Sequence, residues 1–390
     1  MFVTKFKALF VKAIPFSVLL IFGCNKNNSD TPAPVPDPVA TYLNLPSTPF
    51  NYANPAMPAY LQSPNIQGQI NTPANNPISD NGATLGRVLF YDKNLSINTN
   101  IACASCHKQA NAFADPVALS SGFSGGLTGR NSMSLIDAKY YPNRRFFWDQ
   151  RAATLEIQTL MPIQDHVEMG MTLTDLENRL KTLPYYPTLF TKAFGDKNIT
   201  SDRVSLALSQ FVRSIVSYQS KYDQGRQTFP TAPAPPPNAL FPNFTAEENR
   251  GKELFLLPQN ACAACHGSET FTAPSEKNNG LDLTTTDRGF GAVTNNTAQD
   301  GLFKVTSLRN VELTAPYMHD GRFTTLEQVI EHYSTGVKNH PNLSPQLKLP
   351  NGNPRLLNLS PQDKSALVAF LKTLTDRNVT MDVKFSNPFK

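Results

Sequence analysis

Cys103-Ala-Ser-Cys106-His107 and Cys262-Ala-Ala-Cys265-His266 are two copies of the pattern C-x-x-C-H in a chain of 390 residues. In this pattern the two thiols add to the vinyl groups of a haem and the adjacent imidazole binds the iron. One copy alone would also suit a zinc site or a redox-active dithiol, but two copies, each with its own His, argue against both. The chain is therefore predicted to carry two covalently bound haems c, with His107 and His266 as iron ligands.

The start of the chain has the features of an export signal. Three lysines, at positions 5, 7 and 12, flank an apolar run over residues 13–22 that is too short to span a bilayer. The run ends in Ile-Phe-Gly-Cys24, which resembles a bacterial lipobox with cleavage before Cys24 and lipid on its sulfur. Ordinary signal cleavage that leaves a free thiol is the alternative. We expect a protein of the periplasm or cell envelope that meets the membrane through a lipid anchor only.

Charge and cysteine usage exclude several classes of function. The chain has 35 basic and 30 acidic residues, so neither nucleic acid nor an acidic membrane surface is implied as a partner. Of the five cysteines, one belongs to the lipobox and four to the C-x-x-C-H pairs, so no disulfide framework is predicted.

Composition divides the chain into five segments. We predict a signal peptide over residues 1–23, a flexible tether over 24–60, a first haem domain over 61–229, a Pro-rich linker over 230–242 and a second haem domain over 243–390. Two domains suit the length of the chain.

The periodic segments are helical and convincing strands are scarce. Apolar side chains recur on one stripe over residues 201–219 and 361–374. Thr245 and Glu248 form a capping-box pattern before a helix that is expected to run to about Leu257. The expected fold is mainly α, with two c-type cytochrome-like haem domains and little strand.

The two halves also repeat each other. Gly86-Arg-Val-Leu-Phe90 precedes the first Cys pair, and Gly251-Lys-Glu-Leu-Phe255 precedes the second. Residues 148–156 align without gaps with residues 319–327 and match at five of nine positions. Similar blocks in the same order predict an internal duplication of a haem domain.

The second axial ligand of each iron decides between electron transfer and reaction with a small molecule. The chain has six His, and apart from the two in C-x-x-C-H they are His166, His319, His332 and His340. None lies in the loop that follows His107, so the first haem is predicted to have an open face.

The repeat suggests a different ligand for the second haem. A helix that begins after Thr324 or Thr325 and stops near Gly336 would turn Tyr333 inward and His332 aside, and the alignment places Pro162 at the corresponding position of the first half. A phenolate would then close the second haem, whereas proline cannot bind metal. The alternative is that Tyr333 is a core aromatic and Met318 is a sulfur ligand.

Three motifs carry a resemblance to a known family. Residues 85–92 (Leu-Gly-Arg-x-Leu-Phe-x-Asp), 147–151 (Phe-Trp-Asp-Gln-Arg) and 308–321 resemble the bacterial dihaem cytochrome c peroxidase and MauG family, from about Thr84 to Thr375. The resemblance implies that the N-terminal haem reacts with peroxide and that the C-terminal haem relays electrons to it.

Residue roles follow from the same resemblance. Gln158, Pro162 and Glu168 resemble the peroxide-pocket residues, and Trp148, the only Trp of the chain, resembles the one between the haems. From the residues alone, Glu168 would be a solvated surface acid, Gln158 an ordinary helix residue and Trp148 a core side chain.

A second set of residues resembles the ligands of a calcium ion between the domains of the family. These are Asn131, Thr314 and Pro316. One side-chain oxygen and two carbonyl oxygens, completed by water, suit calcium.

Two departures from the peroxidases of the family are visible. Around Phe123 there is no His to cover the first haem, which implies activity without prior reductive activation. Tyr333 stands where those enzymes have Met, as in the MauG branch, and an anionic oxygen ligand would lower the potential of the second haem.

These features support three hypotheses about function. The first is a cytochrome c peroxidase that reduces hydrogen peroxide with electrons from a small periplasmic donor such as a monohaem cytochrome c. The second is a MauG-like oxidase of aromatic residues in a partner protein. The third is a non-enzymatic electron carrier or redox sensor, against which the open first haem argues. A homodimer is left open.

Overall fold

The computed structural model describes residues 1, 11–13, 37–229 and 234–390 and divides into two units, Met1–Asp37 and Pro38–Lys390. Everything below concerns the second unit. Cys24, the predicted lipid-anchor residue, lies outside the described residues, as do residues 230–233 of the predicted linker. In the described part of the chain, no helix combines the length and the apolar character needed to cross a membrane.

Helices and short helical turns make up the regular structure. The α-helices are α1 (Pro38–Tyr42), α2 (Pro64–Gln67), α3 (Asp80–Tyr91), α4 (Cys103–Cys106), α5 (Leu155–Gln164), α6 (Leu173–Thr182), α7 (Tyr186–Phe194), α8 (Ser201–Ser214), α9 (Lys221–Arg226), α10 (Ala246–Leu256), α11 (Cys262–His266), α12 (Phe290–Thr294), α13 (Leu326–Glu331), α14 (Pro361–Thr373) and α15 (Arg377–Met381). A π-helical turn, His332–Gly336, continues α13. The 3₁₀ turns are Ala59–Gln62, Lys93–Leu95, Gln109–Asn111, Ala138–Tyr140, Pro258–Asn260, Thr297–Gln299, Val311–Leu313, Pro345–Leu347 and Val383–Phe385. Strand pairing within residues 37–229 and 234–390 is limited to isolated bridges, which confirms the prediction of a mainly α fold.

The predicted duplication appears as two equivalent helix pairs, α3 with α8 and α10 with α14. Each pair crosses at a glycine of the repeated motif. A Cβ atom on Gly86 would lie 2.0 Å from the carbonyl oxygen of Ala207, and one on Gly251 would lie 1.8 Å from that of Ala366. Only glycine permits such backbone contact, so the repeated Gly marks the same crossing in both halves.

Two of the three predicted helices are confirmed nearly to the residue. The side chain of Thr245 caps α10 in a capping box with Glu248, and Ser360 caps α14. The helix predicted over 201–219 is wrong beyond Ser214. The N–H groups of residues 217–219 instead donate to the side-chain carboxylates of Asp137 and Asp376.

Each C-x-x-C-H segment lies against its own apolar core. The first core contains buried phenylalanines of α3 and α8 and touches Cys103. The second contains those of α10 and α14 and touches Cys262.

The predicted segment boundaries are wrong at two places. Val39, Leu43 and Tyr52 belong to the first core, so residues 38–60 pack on the protein rather than form a tether. Val379 and Phe385 also belong to the first core, so the last residues of the chain return to the first half. In both segments, a few large apolar side chains among polar ones are enough to hold the segment against the first core.

A buried ion cluster next to the predicted site offers a stability test. Arg309 Nη1 lies 2.8 Å from Asp223 Oδ1, and Arg309 Nε lies 3.3 Å from Asp137 Oδ2, with all three side chains almost fully buried. Burial raises the pKa of Asp137 to about 7 although Arg309 opposes it. Arg309→Met should lower the free energy of unfolding by about 3–5 kcal/mol, because it leaves two buried carboxylates without a counter-charge.

Arg250→Met is the matched control, since the half-exposed Arg250 side chain also pairs with two acids, Glu253 and Asp363. Its expected cost is about 0–1 kcal/mol. Chemical denaturation of both variants measures the difference, and equal losses would show that the buried cluster contributes no more than the surface one.

Candidate functional site

Both predicted iron-ligand imidazoles are held in one tautomer by the backbone. His107 Nδ1 lies 2.9 Å from the carbonyl oxygen of Phe113, and His266 Nδ1 lies 2.8 Å from that of Phe271. A carbonyl only accepts, so Nδ1 carries the proton and the lone pair of the neutral ring lies on Nε2. Burial lowers the pKa of both groups, that of His266 to about 4, so both rings are neutral. Two neutral imidazoles with a lone pair on Nε2 fit haem iron.

The four cysteines beside them are unpaired thiols. Cys103 and Cys106 lie three residues apart on the single turn of α4, and Cys262 and Cys265 lie likewise on α11. None of the four forms a disulfide. This spacing keeps both thiols of a pair on one side of the turn, as attachment to one porphyrin requires.

A cavity of about 370 Å³ opens beside His107 and is large enough for a small-molecule site. All four residues predicted to be catalytic line it: Trp148, Gln158, Pro162 and Glu168. Gln158 and Pro162 are four residues apart on α5, so they share one face of that helix. His107 is the only imidazole in the cavity wall. Among the described residues, Met133 is the only sulfur-containing one that lines the cavity, and its backbone forms a hydrogen bond with the His107 ring.

Glu168 is oriented by a tight turn. Asp165 Oδ1 accepts hydrogen bonds from the N–H groups of Val167 and Glu168, at 2.8 and 3.0 Å. Burial raises the pKa of Glu168 to about 7, the nearby Asp165 adds to the rise, and Arg151 opposes it. A carboxyl group with a pKa near 7 can both accept and return a proton at neutral pH.

The Gly-rich loop around Phe123 is fastened to the same turn. Phe123 N–H donates to the carbonyl oxygen of Glu168 at 3.0 Å, and the Phe123 carbonyl accepts from the side chains of Asn98 and Asn100. A Cβ on Gly122 would lie 1.7 Å from the carbonyl oxygen of Val167, so only glycine allows this approach. The loop therefore closes against the Glu168 turn without placing an imidazole in the cavity.

Trp148 connects the two halves of the molecule. Its indole Nε1 donates to the carbonyl oxygen of Asn131 at 2.8 Å, and its own carbonyl accepts from the N–H of Lys304 in the other half. Its ring meets that of His319 edge to face at 6.5 Å between centroids. The repeat alignment pairs Trp148 with His319, so equivalent residues meet where the halves join.

Of the predicted calcium ligands, Asn131 lies at this junction, where its N–H donates to the carbonyl oxygen of His319 at 2.8 Å. Asn131 Nδ2 donates to the carbonyl oxygens of Val117 and Ala118 at 3.0 and 3.3 Å, and Thr314 Oγ1 donates to that of Val311. No hydrogen bond among the described residues joins Asn131 to Thr314 or Pro316, so the calcium site stays a prediction.

Both candidate ligands of the second iron lie beside Asn279. Asn279 Nδ2 donates to Met318 Sδ at 3.4 Å, and a hydrogen bond from Asn279 also reaches Tyr333. Burial raises the pKa of Tyr333 to about 12, and the thiols of Cys265 and Cys262 are close enough to add to the rise. The phenol of Tyr333 therefore lies near the second Cys pair, and because Asn279 donates to both Tyr333 and Met318, its hydrogen bonds do not distinguish the two candidate ligands.

The side chain of Thr325, one of the two predicted caps, caps α13. The α-helical hydrogen-bond pattern ends at His332. From there to Gly336 the chain is a π-helical turn, which an α-helical period does not anticipate. His332 is consequently buried as well, and its Nε2 lies 3.0 Å from the carbonyl oxygen of Asn279.

Sequence reasoning missed the electrostatic partners of the cavity. Beyond burial, which raises the pKa of Glu168 most, Asp165 raises it further and Arg151 opposes the rise, and Lys304 enters the wall from the other half. Arg151 stands in a motif that the sequence displays, but no local signal marks Lys304. His166, close to Glu168 in sequence, is exposed and does not line the cavity.

Comparisons with known proteins agree with this geometry. Residues 80–228 match the family model described as di-haem cytochrome c peroxidase. The methylamine utilization protein MauG of Methylorubrum extorquens is 34% identical over 307 residues, which cover 77% of this chain and 80% of that protein. The cytochrome c551 peroxidase of Nitrosomonas europaea is 31% identical over 297 residues, which cover 75% and 79%.

Solved structures give the same picture. A MauG-like protein associated with microbial copper homeostasis superposes with a TM-score of 0.74 at 31% identity, over 86% of this chain and 99% of that one. The diheme peroxidase BthA of Burkholderia thailandensis superposes with a TM-score of 0.64 at 22% identity, over 80% and 91%, and shares the fold. These likenesses confirm the prediction of two cytochrome-like halves.

Proposed function

The chain belongs to the di-haem cytochrome c peroxidase and MauG family of oxidoreductases, and from this we propose that it reduces hydrogen peroxide to water at the haem attached at Cys103 and Cys106. The observation that carries the proposal is the single cavity that unites His107 with Gln158, Pro162 and Glu168. Two c-type haems are the cofactors of the family, and the neutral imidazoles fit them.

The chain's own residues supply proton transfer and orientation. The haem iron, when present, supplies a place for peroxide and the electrons that break its O–O bond. Glu168 takes a proton from one peroxide oxygen and returns it to the other as that oxygen leaves. Gln158 orients the peroxide by hydrogen bonding, and Pro162 has no side-chain atom that would bind a metal. With two electrons and two further protons, one peroxide gives two waters.

The second haem site is suited to relay electrons. Tyr333 faces Cys262 and Cys265 and would close the iron there to outside ligands. Trp148, bonded to both halves, lies in the connection between the two sites. A small cytochrome c is the proposed donor.

The proposed proton shuttle predicts a pH dependence. Because only the ionised form of Glu168 can accept the proton, kcat/KM for peroxide should rise with pH through about 7 and then level off. Steady-state rates measured from about pH 5 to pH 9 test this. The residual rate of Glu168→Gln should lack the rising limb, and an unchanged limb in that variant would assign it to another group.

A MauG-like oxidase that acts on aromatic residues of a partner protein is the second candidate. Tyr333 beside the second haem site favours it, because an anionic ligand lowers that haem's potential and makes it a poor acceptor from ordinary cytochromes. The relatives named MauG point the same way.

Steady-state peroxide consumption with a reduced monohaem cytochrome c separates these functions. The peroxidase proposal predicts turnover from the fully oxidised protein, without prior reduction. Peroxide-dependent spectral change at the first haem with no oxidation of any small donor would favour the partner-protein oxidase. Absence of any reaction with peroxide would leave only the electron carrier.

We also propose that the chain is exported and anchored by lipid on Cys24, and that Asn131, Thr314 and Pro316 bind calcium. Mass spectrometry of the mature N-terminus tests the first proposal. Calcium content of the purified protein, with Asn131→Leu beside it, tests the second.

A further inference from the structure

Lys304 is a buried cation in the wall of the cavity that contains His107. It is 5% exposed, and its Nζ donates to the carbonyl oxygen of Arg145 at 2.8 Å. The ammonium lies 3.2 Å from the centroid of the Tyr141 ring and 4.5 Å from that of Phe146. These contacts fix the position of the ammonium group but use only one of its three N–H donors.

Lys304 differs from the other two cations that line this cavity. Arg130 pairs with Asp149 and Asp287 at 2.6 and 2.7 Å, and Arg151 pairs with Asp149 at 3.1 Å. Among the described residues, no carboxylate oxygen lies within 4.0 Å of Lys304 Nζ, the distance limit of an ion pair. Burial with no acid nearby holds the pKa of Lys304 well below its ordinary range.

A buried lysine is rarely left without a partner, because the desolvation of its charge costs several kcal/mol unless an anion compensates it. Lys304 lies in a cavity, so the anion can come from the molecule that fills the cavity. A haem c carries two propionate carboxylates. The chemistry of the wall therefore matches a carboxylate of the cofactor.

We propose that Lys304 binds a propionate of the haem attached at Cys103 and Cys106. This inference rests on the proposed function only in placing that haem in the cavity. The propionate would accept from the two N–H donors that Arg145 leaves free, and the ion pair would hold the porphyrin edge against the rings of Tyr141 and Phe146.

The ion pair has a consequence for the haem potential. A positive charge beside the porphyrin stabilises the reduced iron, so Lys304 raises the midpoint potential of the first haem. The backbone N–H of Lys304 donates to the carbonyl oxygen of Trp148, which places this charge beside the proposed electron path.

The test compares Lys304→Met and Lys304→Arg in the holoprotein, with Lys252→Met as a matched control. Lys252 is also fully buried, donates to the carbonyl oxygen of Pro237 at 2.7 Å and lies 5.0 Å from the centroid of the Phe241 ring, but it does not line the cavity. Haem content, the midpoint potential of each haem and the resonance Raman propionate bands are measured.

Lys304→Met should shift the midpoint potential of the first haem downward and move its propionate band. Lys304→Arg should restore both values, and Lys252→Met should change neither. An unchanged potential and band in Lys304→Met, or changes confined to the second haem, would overturn the assignment. These readouts need no turnover, so they stand even if the protein fails to consume peroxide.

Discussion

Glu168→Gln should lower kcat for peroxide reduction by about 10²- to 10⁴-fold, the usual contribution of a positioned proton shuttle. Gln has nearly the same shape, keeps the hydrogen bond from its backbone N–H to Asp165 and cannot take up or release the proton. Burial gives Glu168 a pKa of about 7, which suits both steps. Steady-state kinetics and rapid mixing with peroxide measure the loss.

Glu247→Gln is the control for this substitution, since Glu247 is an exposed acid of α10 far along the chain from the cavity. It should retain full activity. Both variants should contain two haems, and their haem absorption spectra should be unchanged. A Glu168→Gln protein within a factor of about three of the unmodified rate would remove Glu168 from the chemistry.

Tyr333→Phe should abolish the low-spin ferric signal of the second haem while the first haem stays able to bind cyanide. The phenol faces Cys262 and Cys265, and its loss leaves that iron without an oxygen ligand. The rate of electron transfer from an external donor should also decrease in this variant. Electron paramagnetic resonance of the oxidised variant is the measurement.

Tyr317→Phe is the matched control, because Tyr317 lies in the same half and its hydroxyl donates to the carbonyl oxygen of Val311 at 3.1 Å. Its low-spin signal should persist. If the signal survives Tyr333→Phe and disappears in Met318→Leu, the sulfur is the ligand and the phenol is a core group.

The two C-x-x-C-H motifs and the repeated blocks of the duplication could be found in the sequence because each is a short local pattern. The C-x-x-C-H pattern spans only one helical turn. Gly86 and Gly251 stand at equivalent positions of the repeat, and each marks a crossing of two helices. The hydrogen bonds that orient the two imidazoles could not be predicted from the sequence. The carbonyls of Phe113 and Phe271 accept them because of the conformation of the turn that follows each motif.

Features that depend on distant parts of the chain escaped prediction. Residues 38–60 have the composition of a flexible tether, but Val39 and Tyr52 pack into a core formed mainly by other segments of the chain. The π-helical turn at His332 changes which residues face inward, so an α-helical period placed His332 wrongly. The pKa of Glu168 is raised mainly by burial, which depends on a cavity whose walls come from residues between His107 and Lys304.

The proposed function depends most on the difference between the two predicted iron sites. The wall around His107 contains no second imidazole, whereas Tyr333 faces the site of His266. Electron paramagnetic resonance of the oxidised holoprotein during cyanide titration tests this difference most directly. One high-spin and one low-spin ferric haem, with cyanide converting only the high-spin one, is the expected result. Two low-spin haems that both resist cyanide would contradict it.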